Sequence, residues 1–268
     1  MKTKGFIITL AAFALVIYIS ACTPNTPIPP TNTPTMTPTP MVTPTPTATG
    51  GFFDNLNSHN TKLWSKADGW SNGDPFNAGW RADHISFADD VMTITLDKLT
   101  CPSGCSNRPY ASGEYRHNAF TGYGLYEGRL KAAKASGIVG ASLFLYTGPS
   151  DGQPWDEIDI EILGKDPTHM QTNYFTNGVG EHETLIPLGF DASADFHTYG
   201  FEYHPGYINW YVDGVLVHSE DGSRGPLPSH KMKMMTNLWP GIGIDDWLGP
   251  FTYTGPLYTQ IDWLKYTP

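Results

Sequence analysis

Positive charge is scarce in this chain. Sixteen Lys and Arg stand against 26 Asp and Glu, giving a formal net charge of −10 at pH 7. A nucleic-acid partner is thereby excluded, because no basic footprint exists to neutralise phosphates. A neutral polymer such as a glucan is not excluded. Cysteine is scarcer still, at three residues: Cys22, Cys101 and Cys105. The last two have no histidine close by in sequence, which makes a poor zinc site. Helical periodicity is nearly absent and no internal repeat is visible, so helix-built classes drop out. The apolar run Phe6 to Ile19 is short for a transmembrane span.

That run has another reading. Lys2 and Lys4 form a positive n-region before it, and Ile19-Ser20-Ala21-Cys22 closes it with small residues. Residues 1–21 therefore read as a signal peptide. The closing tetrapeptide resembles the bacterial lipobox, which implies cleavage before Cys22 and lipid on its thiol. The expectation is an exported lipoprotein of the bacterial cell envelope that meets the membrane only through that lipid. The alternative is ordinary secretion after a cut near Ala21. Residues 23–49 are almost entirely Thr and Pro, a composition that cannot bury a core and favours extended polyproline II. Residues 22–50 thus read as anchor and tether, and residues 51–268 as one working domain, expected to be monomeric. In an exported chain, Cys101-Pro102-Ser103-Gly104-Cys105 can close as a disulfide. The loop is so short that its stabilisation should be about 2 kcal/mol or less.

Within the domain, β-branched and aromatic runs recur between Gly, Pro, Asn and Asp clusters. Strands are predicted over 91–96, 124–131, 139–146, 157–163, 170–175, 198–204, 207–212, 215–218, 231–238 and 258–266. Asp213-Gly214 signals a type I′ hairpin. Many short strands with few helices imply an all-β, antiparallel sandwich of jelly-roll type, concave on one exposed face. Phe, Trp and Tyr make up 13% of the chain, which suits a sugar-binding groove. Phe144 and Tyr146 share one strand face by parity. Trp239 and Trp247 lie in loop-like segments flanked by Gly or Pro. They are read either as exposed sugar platforms or as rings that close the ends of the sandwich.

The stretch Trp155-Asp156-Glu157-Ile158-Asp159-Ile160-Glu161-Ile162-Leu163-Gly164 carries the most chemistry. On a strand, Glu157, Asp159 and Glu161 point to one face and the isoleucines to the other. Like charges along one face repel, so packing alone does not select them. A solvated outer face would mix in basic residues, and none is present. A calcium site would draw ligands from a curved loop rather than a straight strand. A glycosidase site uses two carboxyl groups on the sugar, and a neighbouring indole, Trp155, offers the sugar a stacking surface.

These residues resemble the active-site strand of glycoside hydrolase family sixteen, in particular its bacterial lichenases. So do Gly122-Tyr123-Gly124-Leu125-Tyr126-Glu127, Tyr146-Thr147-Gly148-Pro149, Asn173-Tyr174-Phe175-Thr176-Asn177-Gly178, Gly189-Phe190-Asp191-Ala192-Ser193, Phe196-His197-Thr198-Tyr199 and Asn237-Leu238-Trp239. The resemblance covers about 52–266. It implies retaining cleavage of β-1,4 bonds beside β-1,3 linkages in mixed-linkage β-glucan. Laminarinases of the family typically carry one extra residue before the last acid; this chain does not. By position, Glu157 resembles the nucleophile, Glu161 the general acid/base and Asp159 their helper. Trp155, Phe144, Tyr146, Trp239 and Trp247 match rings of the cleft, and Phe175 stands where relatives commonly carry Tyr. Glu114, Arg116, Asn72, Asn173, Glu183 and Asn237 match sugar hydrogen-bonding residues, and Trp70 and Phe76 an outer subsite. No cofactor for catalysis is implied. A structural calcium is, with Asp262 as side-chain ligand and backbone oxygens of Asn55 and Val91 beside it. Relatives often bridge two cysteines at the positions of Ala78 and Ser112; that bridge is missing here.

Retention needs the two carboxyl groups about 5–5.5 Å apart, while residues four apart on a strand have Cα atoms roughly 13 Å apart. Glu157 and Glu161 must lean toward each other over Asp159. The rival outside enzymology is a glucan-binding module on the same fold, which has no need of three repelling acids. The rival enzymes are a β-1,3-glucanase and a transglycosylase.

Overall fold

Period-two burial runs through the longer strands of this computed structural model, which describes residues 50–98 and 105–268. The expected signal peptide, Cys22, the Thr/Pro tether and Cys101 lie outside the described residues. In chain order the strands are β1 (Phe52–Asp54), β2 (Trp64–Lys66), β3 (Ala78–Trp80), β4 (Ile85–Ala88), β5 (Val91–Leu96) and β6 (Tyr110–Ser112). Next come β7 (Glu114–His117), β8 (Gly124–Lys131), β9 (Ile138–Thr147), β10 (Asp156–Leu163), β11 (His169–Phe175) and β12 (Thr184–Pro187). The series ends with β13 (His197–His204), β14 (Tyr207–Val212), β15 (Val215–Glu220), β16 (Lys233–Asn237), β17 (Trp239–Pro240) and β18 (Leu257–Thr267).

Two antiparallel sheets result. The backing sheet runs β15-β14-β13-β8-β18-β5-β4, with β1 added on β18; the groove-bearing sheet runs β12-β11-β10-β9-β16-β7-β2, with β17 added on β9. Their inner faces supply one core. Tyr126, Phe201 and Trp210 from the backing sheet meet the layer that holds Leu143, Leu145, Ile158, Ile160 and Tyr174. Trp210 Nε1 also donates to the Asp159 carbonyl at 3.0 Å, which ties the acid strand to the backing sheet. The expected hairpin is present: Asp213 and Gly214 have φ of 49° and 78°, and Val212 pairs with Val215.

The sandwich is not antiparallel throughout, because β3 and β6 form a small parallel pair. Ala78 and Ser112 sit in that pair, and Ser112 Oγ donates to the Leu238 carbonyl at 2.5 Å. Packing and hydrogen bonding thus hold the place where the resemblance would put a bridge. Cys105 is buried and disulfide-bonded. The two loop-like tryptophan segments are ordered elements. Trp239 opens β17 and is only 4% exposed, packed on Phe76 at 4.1 Å between centroids. Trp247 sits in a four-residue helix, α1 (Asp245–Leu248).

Candidate active site

Strand β10 lies between β9 and β11, and its register with β9 is unbroken from Asp156↔Thr147 to Ile162↔Ala141. Ile158, Ile160 and Ile162 are buried in the core, so parity sends Glu157, Asp159 and Glu161 to the opposite face. There the three acids line a groove of about 970 Å³. Asp156, on the core side of the same strand, is 0% exposed. Its carboxylate accepts from the backbone of Asn177, Ser229 and His230 and from His230 Nδ1, at 2.7–3.1 Å. Burial opposes its ionisation, but these four donors hold its pKa below the ordinary value. The start of the acid strand is pinned by that carboxylate.

Each acid has distinct partners. Trp155 Nε1 donates to Glu157 Oε2 at 2.6 Å, and the Trp155 ring stacks on Phe175 at 4.8 Å and 11°. Gln171 Nε2 donates to Glu161 Oε2 at 3.2 Å, and Gln171 is oriented in turn by Trp247 Nε1 at 3.0 Å. Asp159, 7% exposed, lies between them. Burial raises all three carboxyl pKa values. Glu157 is pushed up to about 7, opposed by bonds from Trp155 and Asp159. Glu161 is pushed up to about 8, first by burial and then by the negative charge of Glu157, with Gln171 opposing. Asp159 is raised well above the carboxylate range by burial, then by Glu157 and Glu161. Glu157 and Glu161 each hold a donor, and the three carboxyls titrate as one coupled group in which like charge opposes simultaneous ionisation. One anion beside one acid is the pairing that general acid and nucleophilic catalysis require.

The groove crosses the sheet on both sides of β10. On one side, Phe144 and Tyr146 come from β9, Asn237 from β16, and Glu114 and Arg116 from β7; Trp70, Asn72, Phe76, Trp239 and Trp247 complete that arm. Asn237 Nδ2 donates to Glu114 Oε2 at 3.1 Å, and Arg116 Nε lies 3.7 Å from Glu114 Oε1. The Arg116 guanidinium also lies 5.3 Å from the Trp70 ring centroid, and Trp80 Nε1 fixes the Asn72 amide at 2.9 Å. Glu114 is raised by burial, against Arg116 and Asn237. On the other side the arm is shorter: Asn173, Phe175 and Glu183, with Asn173 Nδ2 donating to Glu183 Oε1 at 3.3 Å. Every candidate catalytic and sugar-binding residue from the sequence reaches this one groove. Gln171, Ser142, Met235, Ser150, Asp74 and Pro75 line it too and were not singled out.

The expected calcium ligands lie one residue beyond paired strand positions. Val91 follows from the pair Met92↔Ile261 and Asn55 from Asp54↔Leu264; both flank Asp262, which lies at a register shift between Ile261 and Trp263. Backbone oxygens with one carboxylate are calcium-type donors. Arg129 Nη1 donates to Asp262 Oδ2 at 2.5 Å. Among the described residues, no cluster of three or more His, Cys, Asp or Glu forms a metal site.

Residues 72–265 match the family described as Glycosyl hydrolases family 16. A β-glucanase of Paenibacillus polymyxa is 52% identical over 216 residues, which is 81% of this chain and 87% of the relative. The solved β-glucanase of Bacillus licheniformis aligns with a TM-score of 0.75 and 48% identity, over 82% of this chain and 98% of its own. A prokaryotic β-1,3-1,4-glucanase (lichenase) from a mouse hindgut metagenome aligns with a TM-score of 0.77 and 47% identity, over 81% and 99%.

Proposed function

This chain belongs to family 16 of the glycosyl hydrolases, and we propose that it is a lichenase-type endo-β-glucanase acting as a monomer. It cuts β-1,4 bonds adjacent to β-1,3 linkages in mixed-linkage β-glucan, with retention. The observation that carries this is the acid triplet facing an open groove on an unbroken strand, with Glu157 held by an indole donor and Glu161 by Gln171. In the first step Glu157 attacks the anomeric carbon, the bond to the leaving oxygen breaks, and Glu161 gives that oxygen its proton. In the second, water attacks the same carbon, Glu161 takes the proton of the water, and Glu157 departs. Asp159, protonated, hydrogen-bonds the Glu157 carboxylate and keeps the negative charge there. Two carboxyl groups complete this chemistry, so catalysis needs no cofactor.

The glycosyl half stays bound through both steps, whereas the leaving half must depart after the first. The longer arm, with its rings and the Glu114–Asn237–Arg116 group, suits the retained half. The short arm of Asn173, Phe175 and Glu183 suits the leaving half. Reducing-end release from cereal β-glucan, laminarin and xyloglucan, measured side by side, tests the substrate. Cereal β-glucan should be cut fastest; preference for laminarin or xyloglucan would contradict the proposal.

Two further parts belong to the same proposal. Asp262, with the Asn55 and Val91 carbonyls, holds a structural calcium away from the chemistry. A ligand that binds only the folded state stabilises by mass action, so a chelator should lower the melting temperature, and Asp262→Ala should abolish that response. Melting indifferent to chelation would contradict the site. The signal layout and Ile19-Ser20-Ala21-Cys22 support export and lipid attachment at Cys22.

A further inference from the structure

The short arm of the groove has a brace outside the groove. Glu220, at the end of β15, is only 4% exposed and accepts from Arg224 Nη1 at 2.7 Å. The oriented guanidinium then reaches three successive carbonyls of the segment before β12. Nη1 donates to His182 O at 3.1 Å, and Nη2 to Glu181 O and Glu183 O at 3.4 Å each. Nη1 also meets Thr184 Oγ1 at 3.1 Å. A planar fork with several donors can gather carbonyls in this way; a lysine ammonium cannot.

The gathered segment leads directly into the groove. His182 N donates to Asn173 Oδ1 at 3.2 Å, which turns the Asn173 amide nitrogen toward Glu183. Asn173 stands opposite Asp159 in the register of β10 and β11. The imidazole of His182 lies flat on Tyr174 at 3.7 Å, and a Cβ at Gly225 would come within 2.6 Å of His182 Nε2, so the Arg224 loop and the rim approach closely there. Yet the two segments do not pack throughout. Between them lies a cavity of about 290 Å³ lined by Thr176, Val179, Glu181, His182, Arg224 and Pro226. Glu181 is held in the left-handed region at φ 69°, a conformation unfavourable for a side-chain-bearing residue. A strained rim beside empty space depends on whatever ties it down.

We propose that Arg224, oriented by Glu220, is a positioning residue that sets the place of Asn173 and Glu183 and so tunes binding of the leaving half of the substrate. This rests on the hydrolase function and arm assignment given above. The test compares mixed-linkage β-glucan with an aryl β-glycoside of a mixed-linkage trisaccharide, whose leaving group places no sugar on the short arm. With Arg224→Met, kcat/KM on the polymer should fall about tenfold, mainly through KM, as a displaced positioning shell would cause. Activity on the aryl glycoside should stay within about twofold of wild type. Glu220→Gln should show the same split, and Arg224→Lys should remain impaired on the polymer, with circular dichroism confirming the native fold in each. Equal losses on both substrates, an unchanged polymer rate, or full rescue by Lys would each overturn the role. A wild-type protein unable to cut the polymer would overturn the hydrolase function and this role with it.

Discussion

At the scale of single residues, the catalytic acids act against the stability of the fold they sit in. Glu161 has a folded-state pKa of about 8, above the free carboxylate value of about 4.3. Between those two values the folded protein holds a proton that the unfolded chain has released, so stability falls as pH rises through that window. Glu161→Gln has no such proton to lose. Its melting temperature should exceed that of wild type at pH 8, and the gap should close at pH 4; a gap independent of pH would contradict the raised pKa. The same substitution should cost about 10²–10⁴-fold in hydrolysis, the usual worth of a general acid. The shared face of the alternating acids was legible in the sequence because a period of two needs no tertiary information; their separate roles come only from the family resemblance. Which acid ionises first was not legible. That depends on Trp155 Nε1 and Gln171 Nε2, donors whose aim only the fold supplies.

At the scale of elements, the resemblance named residues on every central groove strand, and parity shows which of their neighbours were passed over. Ser142 precedes Phe144 by two on β9, Gln171 precedes Asn173 by two on β11, and Met235 precedes Asn237 by two on β16; all line the groove. Extending the alternation one step from each recognised residue would have found them. The same parity places Asp156 on the core face of β10, and an acid there signals a buried network. Asp156→Asn weakens four bonds to a charged acceptor, so unfolding free energy should drop by about 2 kcal/mol in denaturant titration. Because its folded pKa is depressed, that stabilisation is present above the free carboxylate value and lost as pH falls through the folded one. A loss that persists unchanged in strong acid would contradict this. Short strands such as β1, β2, β3 and β17 were illegible, since two or three residues carry no period. Trp239, left open between a sugar platform and a closing ring, lines the groove while being nearly buried. Gly and Pro mark a bend, yet the ring beside them turns inward onto Phe76.

At the scale of the whole molecule, the sandwich itself was legible, because ten alternating runs and the Asp213-Gly214 hairpin leave few other architectures. The order of strands in each sheet was not, since pairing such as β8 with β18 joins residues far apart in sequence. The parallel β3–β6 pair escaped for the same reason. The proposed export and anchoring belong to this scale as well. One acyl chain binds a membrane weakly, and the bacterial lipoprotein modification supplies more than one. Cys22→Ser should therefore move the enzyme from the membrane fraction to the medium with unchanged specific activity. Wild-type protein found soluble and without lipid mass would leave ordinary secretion instead. The proposed double displacement passes through a covalent intermediate on Glu157. The measurement that reaches it most directly is mass spectrometry after incubation with an activated 2-deoxy-2-fluoro mixed-linkage glycoside, which slows the second step. One glycosyl unit should be found on the peptide that contains Glu157, and none in Glu157→Gln. An adduct on another residue, or an inverted first product with no adduct at all, would contradict the double displacement.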